Sequence, residues 1–431
     1  MTNTTNATLD IYLTKRKVGT LTSVIGPDLN VFTLDDSYIQ DPNRPILSLS
    51  FKSALGEVIT KPLVRKMRLP EFFSNLLPEG HLREYLARTN GVHKDREFFL
   101  LSALGKDLSG AVIAIPSKET ALLDDLAHEA ERNPDQSQHA LKFSLAGVQL
   151  KFSALLEAKG GLTIPTSGIG GDWIVKLPSA TYGNLPENEF SMMQLAKVVG
   201  IDVPTVKLIP TKDVAGLPSI VTPSFANSLA IERFDRTASG GRIHIEDFAQ
   251  VFGVDPREKY EGFSYNNMAR VFWMETDERS MVEFVRRLVF NLAIGNADMH
   301  LKNWSLIYRD PRKPELAPAY DFVSTIAYID DSVLGLRLGR TKHMYAIEMD
   351  DFLFMAEKAG IPKHLVRSTV GETADRFREA WRQNANDLPL TNESKQRISE
   401  HMEKLLLFKS DSRIVPAVKQ RARKKKSKHS L

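Results

Sequence analysis

The chain has 431 residues, with 57 Lys and Arg against 53 Asp and Glu, and no cysteine. That length is too great for one ordinary core and predicts two or three packed units, while 42% hydrophobic and 26% charged residues exclude a fibrous or disordered chain. The missing thiols exclude disulfides, thiolate zinc sites, cysteine-ligated iron–sulfur clusters and a cysteine nucleophile.

The net charge of +4 is unevenly placed. Lys419, Arg421, Arg423, Lys424, Lys425, Lys426 and Lys428 put seven positive charges and no acid into residues 419–431, so the remainder is slightly acidic. Residues 1–8 are polar and lack the basic-then-apolar layout of a signal peptide. No apolar run approaches the ~18 residues of a membrane span. A cytoplasmic protein is the expectation.

Along the chain, residues 11–13, 31–34 and 46–49 are short β-prone runs separated by Gly, Pro, Asp and Asn. Residues 71–88 and 95–105 read as helices, and 110–116 return to strand. Residues 117–138, rich in Glu, Asp, Gln and Ser, read as a linker. A second β-rich region follows: strand, glycine turn and strand over 141–156, then strands at 162–164, 173–177, 206–209 and 229–234. Between them, 187–199 is an amphipathic helix with Gly200 as its stop. After about residue 245 the pattern is mostly helical, with helices over 281–294, 350–358, 363–384 and 393–408. Gly360 and Pro362 punctuate two of them. β-rich material first and helices second predict two lobes with a cleft between them.

The densest polar cluster in apolar surroundings is Asn296, Asp298, His300, Lys302 and Asn303. Phosphoryl transfer needs a carboxylate to take the proton of the attacking hydroxyl and, five residues on, an amide oxygen for magnesium. Asp298 and Asn303 have that spacing, and Lys302 would neutralise the transferring phosphate. A helix-capping Asn/Asp turn explains the same pair taken alone. Asp321 follows a predicted hairpin (304–308, then 316–320), where kinases keep the carboxylate that bridges magnesium to the phosphates.

In the β-rich region, Ser144–Lys151 holds small residues whose backbone N–H groups would approach phosphate oxygens. Lys176 lies in an apolar strand and needs an anion, either a nucleotide phosphate with Glu187 or Glu189, or solvent at a sheet edge. Glu232-Arg233-Phe234 ends a strand where the lobes would join, a place for backbone contacts to adenine. His300 and His93 lack a zinc-ligand spacing, and neither a nucleophile-elbow serine nor a dinucleotide fingerprint is present.

Taken together, Ser144-Leu-Ala-Gly-Val-Gln-Leu-Lys151, Glu187-Asn-Glu189, Gly200-Ile-Asp-Val-Pro204, Glu232-Arg-Phe-Asp-Arg236, Asn296-Ala-Asp298-Met-His300-Leu-Lys302-Asn303 and Ala319-Tyr-Asp321-Phe322 resemble the HipA family. These are bacterial serine/threonine kinase toxins of toxin–antitoxin modules. Phe72–Glu79 and Gly110–Pro116 extend the resemblance to the family's N-terminal subdomain.

The resemblance implies an α+β, bilobal protein-kinase-like fold: an accessory subdomain (1–116), a linker (117–138), the ATP-binding part of the N-lobe (139–236), a helical catalytic C-lobe (237–415) and a basic tail (416–431). ATP would be bound by Ala146, Gly147, Val148, Gln149, Leu150, Lys151, Lys176, Glu232, Arg233, Phe234, His300, Leu301, Lys302, Asn303, Tyr320 and Asp321. Asp298, with Lys302, would be catalytic; Asn303 and Asp321 would hold Mg2+; Ser144 would be an inactivating autophosphorylation site. The implied partners are a HipB-like helix-turn-helix antitoxin, operator DNA and an aminoacyl-tRNA synthetase substrate. Valine follows Asp321-Phe322 where ordinary protein kinases carry glycine, so their activation-segment mobility is not implied. Two other functions share part of this pattern: a small-molecule phosphotransferase, and a DNA-bound corepressor without kinase activity.

Overall fold

The computed structural model describes residues 6–117, 151–156, 162–163, 171–217 and 226–409. Alternation in Asn6–Leu13 (β1) buries Ala7, Leu9, Ile11 and Leu13 on one face. With Arg16–Val24 (β2), Leu29–Leu34 (β3), Leu63–Lys66 (β4) and Val112–Pro116 (β5) it makes an antiparallel sheet ordered β4-β3-β2-β1-β5. Helices Asp36–Gln40 (α1), Glu71–Ser74 (α2), Gly80–Thr89 (α3) and Glu97–Leu104 (α4) complete the unit. Its own core centres on Phe32, Phe72, Phe73, Phe98 and Leu101.

Two expectations fail here for local reasons. Residues 46–49 form no strand; Ser48 Oγ accepts from Ser50 N (3.1 Å) and caps a 3-10 turn over Leu49–Phe51. Residues 71–88 split into two helices around Pro78, which has no N–H to donate to a continuing helix.

The second sheet has the order β10-β7-β6-β8-β11-β9, made of Lys151–Leu156 (β6), Leu162–Thr163 (β7), Trp173–Lys176 (β8), Val206–Pro210 (β9), Val214–Ala215 (β10) and Asn227–Glu232 (β11). β8 is central, paired with β6 on one side and β11 on the other. That register sets Lys151 directly opposite Lys176 on one face of the sheet. Leu185–Val199 (α5) packs on β9 and β11 and stops at Gly200 (φ +94°), a left-handed cap that glycine adopts without strain.

The third unit is helical but keeps more β structure than its sequence suggests. His244–Asp247 (β12), Ser305–Asp310 (β13) and Lys313–Leu316 (β14) form one sheet; Val333–Leu338 (β15) and Thr341–His343 (β16) form another. The second arm of the anticipated hairpin is therefore β14, and 317–320 is irregular. Helices follow at Phe248–Phe252 (α6), Tyr265–Glu275 (α7), Glu278–Ala293 (α8), Met349–Ala359 (α9), Lys363–Asn384 (α10), Asn392–Lys404 (α11) and Leu406–Lys409 (α12). The break at Leu405 divides the single helix expected over 393–408. No described helix is long and apolar enough to cross a membrane.

The N-terminal unit is locked onto the other two by buried polar contacts. Glu246 accepts from Ser48 Oγ (2.5 Å), Leu49 N (3.1 Å) and Tyr308 OH. Gly110 N donates to Asp235 (2.8 Å), and Arg236 reaches Asp107 (2.9 Å). Gln250 and Asn75 tie α2 to the C-lobe through Phe72 O (3.0 Å) and Val254 O (2.8 Å).

Burial pushes the Glu246 carboxyl up to about 7 despite the hydrogen bonds it accepts from Ser48 and Tyr308. The folded protein therefore holds this proton more tightly than the unfolded chain. The associated stability is full below an ordinary glutamate pKa and fades as pH rises through about 7, by on the order of 3 kcal/mol. Glu246→Gln is expected to gain a few degrees of Tm relative to the parent between pH 5 and pH 8. A difference that stays constant with pH, measured by calorimetry, would place the charge elsewhere.

Candidate active site

The site is assembled from widely separated stretches of chain. Lys176, on the central strand, is 8% exposed. An isolated ammonium there would be costly. Glu189 of α5 reaches it at 2.6 Å, and Asp321 bonds it from the opposite lobe. The solvent-edge alternative is thereby excluded, and of the two candidate glutamates Glu189 is the partner. Glu187 instead accepts from Asn227 Nδ2 (2.9 Å).

Burial by itself would lower the Lys176 ammonium, but Asp321 and Glu189 outweigh it and hold it raised and charged. Asp321 is shifted the other way: burial would raise it, while Lys176 and then Lys151 hold it well below the usual carboxylate range. The Lys151 ammonium is lowered by desolvation, with Asp321 acting against and Lys176 adding to the effect.

Asp321 sits at φ +56°, a left-handed conformation that non-glycine residues seldom take. Its surroundings hold it there. Phe322 beside it is fully buried, its ring 4.9 Å from Phe290. Asn188, next to Glu189, makes a two-way amide contact with Ser324 N and O (2.9 and 3.1 Å). The segment after Asp321 is thus bound at both ends to packed helices.

The catalytic-loop candidates follow α8. Asn296 is fully buried: its Oδ1 accepts from Asp298 N (3.0 Å), and its Nδ2 donates to Asn291 Oδ1 (3.0 Å) and reaches Asp321 O at 3.5 Å. Asn303 Nδ2 donates to Asp298 O (2.9 Å), which leaves its amide oxygen for another partner. Asp298 accepts from Tyr260 OH. Desolvation by the surrounding loop raises its carboxyl, the Tyr260 hydrogen bond pulls it back, and Asp321 raises it again. A base with a raised pKa suits proton abstraction from a hydroxyl.

His300 is buried, with Nδ1 unpartnered. Burial and then Lys259 lower it to about 3, so the imidazole is neutral. Leu301 is fully buried beneath the loop and presents no polar side chain. Tyr320 OH bonds Ser305 Oγ (2.6 Å) and Lys302 O (2.9 Å), bracing the loop from below.

Other candidates are placed differently from the sequence expectation. The Arg233 side chain turns into Asp235 (2.7 Å) and Ser153 (3.1 Å), and its N–H goes to Asp172 O (2.8 Å). Glu232 N donates to Thr205 O (2.9 Å). Phe234 offers an apolar ring 5.9 Å from that of Tyr320. Ser144, Ala146, Gly147, Val148, Gln149 and Leu150 lie outside the described residues.

Glu79, the last residue of the Phe72–Glu79 motif, was not among the site candidates. This residue of the N-terminal unit bonds Lys302 at 2.6 Å and Lys259 at 2.8 Å. Burial would raise its carboxyl, but the two lysines pull it down to about 2. Lys259 adjoins Tyr260, so the candidate catalytic loop and the support of Asp298 are both tied to the N-terminal unit. Nothing in the spacing of residues 79, 259 and 302 signals that meeting.

The donors facing the cleft from Asp321 and Asn303 are hard oxygens, of the kind magnesium takes. Among the described residues no group of three His, Asp or Glu could hold a metal by itself.

Residues 9–115 match the model of the HipA N-terminal domain, and residues 143–381 match that of the HipA-like C-terminal domain. The chain belongs to the HipA family. A putative kinase, Y4dM of Sinorhizobium fredii, is 48% identical over 405 residues, spanning 93% of this chain and 98% of that protein. The serine/threonine-protein kinase toxin HipA of Shewanella oneidensis is 29% identical over 379 residues, 79% of this chain and 82% of its own. The solved Shewanella oneidensis complex of HipA, HipB and operator DNA aligns with a TM-score of 0.69 at 25% identity, over 92% of this chain and 96% of that one. This HipA family member is a kinase with an α+β, kinase-like fold.

Removing Lys176 strands two carboxylates. Lys176→Met is expected to lose about 3 kcal/mol of stability in denaturant titrations. Glu189→Leu is expected to be costly too, and the double variant to lose much less than the sum of the singles. Strict additivity would show that the pair is not an energetic unit.

Proposed function

We propose that this chain is a toxin serine/threonine protein kinase that uses Mg-ATP to phosphorylate a serine of a translation enzyme. The observation that carries the reading is the bridge from Lys176–Glu189 across the cleft to Asp321, beside a loop offering Asp298 and Asn303. Lys176 and its cross-strand neighbour Lys151 supply positive charge for nucleotide phosphates. Asn303 and Asp321 are the residues that would hold Mg2+, whose charge offsets that of the phosphates.

Asp298 takes the proton of the attacking serine hydroxyl as its oxygen bonds the γ-phosphorus and ADP leaves. Lys302, adjacent in the loop, stabilises charge on the transferred group. His300, neutral and with a free ring nitrogen, is available to a phosphate-side hydrogen bond. The Phe234 ring, 5.9 Å from that of Tyr320, offers an apolar face to the adenine.

Residues 1–116 serve as the accessory subdomain, 139–236 as the ATP-binding part, 237–415 as the catalytic lobe, 117–138 as a linker and 416–431 as a basic tail. The family resemblance supports an aminoacyl-tRNA synthetase, such as the glutamyl one, as the target in the bacterial cytoplasm, with growth arrest and persistence as the outcome. It also supports autophosphorylation of Ser144 as the inactivating step. There a doubly charged phosphate beside the loop would repel ATP. A HipB-like antitoxin on operator DNA is the neutralising partner, in keeping with the complex solved for the Shewanella oneidensis relative.

Purified protein with Mg-ATP is expected to gain one phosphate, mapped to Ser144 by mass spectrometry. Asp298→Ala is expected to lower the rate roughly 10²–10⁴-fold; undiminished labelling would rule out the assigned base. In cells, growth arrest on expression is expected to vanish with Asp321→Ala. Equal arrest from both forms would count against killing by phosphorylation.

A further inference from the structure

Away from the active site, a cavity of about 540 Å³ opens between the start of α7, the turn joining β15 to β16, and α9. Four cations converge on it: Arg270, Arg337, Arg340 and Lys358. Asp351 pairs with Arg340 at 3.2 Å, but no described carboxylate pairs with Arg270 or Arg337. Phe354 forms an aromatic wall, with the Arg340 guanidinium 5.7 Å and the Lys358 ammonium 5.3 Å from its ring centre.

The frame of this cavity is rigid. Asn266 exchanges two hydrogen bonds with Gly339, Nδ2 to O at 2.9 Å and N to Oδ1 at 3.0 Å. Gly339 adopts φ +59°, and a Cβ there would lie 2.5 Å from that of Asp351. The turn bearing Arg337 and Arg340 is therefore fixed against both flanking helices.

Uncompensated arginines held around a concavity of nucleotide size match multiply charged phosphoryl groups, which guanidinium forks bind in bidentate fashion. We propose that this cavity is a second anion site, taking a compact polyphosphate-bearing small molecule: a nucleoside polyphosphate or inorganic polyphosphate. A nucleic-acid backbone is less well matched, because the cations gather into one concavity instead of following a ridge or groove.

The site is joined to the catalytic loop. Gly335, two residues before Arg337 on β15, packs so closely that an added Cβ would lie 3.1 Å from Met299 O and 3.2 Å from Ala297 O. Tyr265, beside the cavity residue Ser264, donates to Met299 O at 2.7 Å. Occupancy thus bears on the two elements that support the loop carrying Asp298.

Calorimetric titration of the full chain with inorganic tripolyphosphate tests the proposal without requiring turnover, so it stands or falls apart from the kinase reading. Arg270→Ser/Arg337→Ser, both at exposed positions, is expected to bind tripolyphosphate roughly tenfold or more weakly than the parent with Tm unchanged. A non-hydrolysable ATP analogue distinguishes the two sources. Loss of a second binding event in the variant, and again in Phe354→Ala, supports a nucleoside polyphosphate; loss for tripolyphosphate alone supports inorganic polyphosphate. Equal binding of both probes by parent and variant overturns the proposal. Dependence on these arginines shown only by a short DNA duplex overturns it in favour of a nucleic-acid surface.

Discussion

An ammonium on the central strand of a buried sheet has to be neutralised, and the arrangement of both lobes around Lys176 answers that requirement. Glu189 arrives on α5, and Asp321 arrives from the far lobe in a backbone conformation that only surrounding contacts make tenable. Those contacts are Phe322 in the core against Phe290, Asn188 clasping Ser324, and Asn296 Nδ2 reaching Asp321 O. One charge therefore fixes the relative placement of the sheet, the helix and the segment carrying Asp321.

Charge balance also explains why the N-terminal unit is part of the site. Lys302 and Lys259 lie close together beside the catalytic loop, and Glu79 bridges them from the start of α3. The unit is held in place for that task at two further points. Glu246 grips the Ser48–Leu49 turn, and Asp235 accepts from Gly110, whose φ of +72° and 2.9 Å Cβ clearance to Ile245 N leave room only for glycine. Glu246 and Asp235 are buried, so loosening the interface would strip hydrogen bonds from groups shielded from water.

Much of this was legible beforehand where the signal is local. The helix over Lys363–Asn384 was read to the residue, because Pro362 and a long amphipathic stripe bound it. The α5 helix and its Gly200 stop were likewise clear. The reading failed where a side chain competes with the backbone, as Ser48 does in the 3-10 turn, or where Pro78 cuts a helix. β12 and the β15–β16 pair escaped notice because short strands in helical surroundings are stabilised by their partners and not by their own pattern.

The sequence by itself determined which groups are the candidates for the chemistry. The spacing of Asp298 and Asn303, a lysine in an apolar strand, and a carboxylate in Tyr320-Asp321-Phe322 are statements about residue type and order. They hold in any conformation the chain adopts. Tertiary structure decided which charge meets which: Glu189 and not Glu187 on Lys176, Arg233 turned inward to Asp235, Glu79 on Lys302, and Arg270 brought to the same cavity as Arg337. Ion pairing acts over a few ångströms of space, whereas Glu79 and Lys302 are separated by most of two folding units along the chain. Only packing brings them within reach.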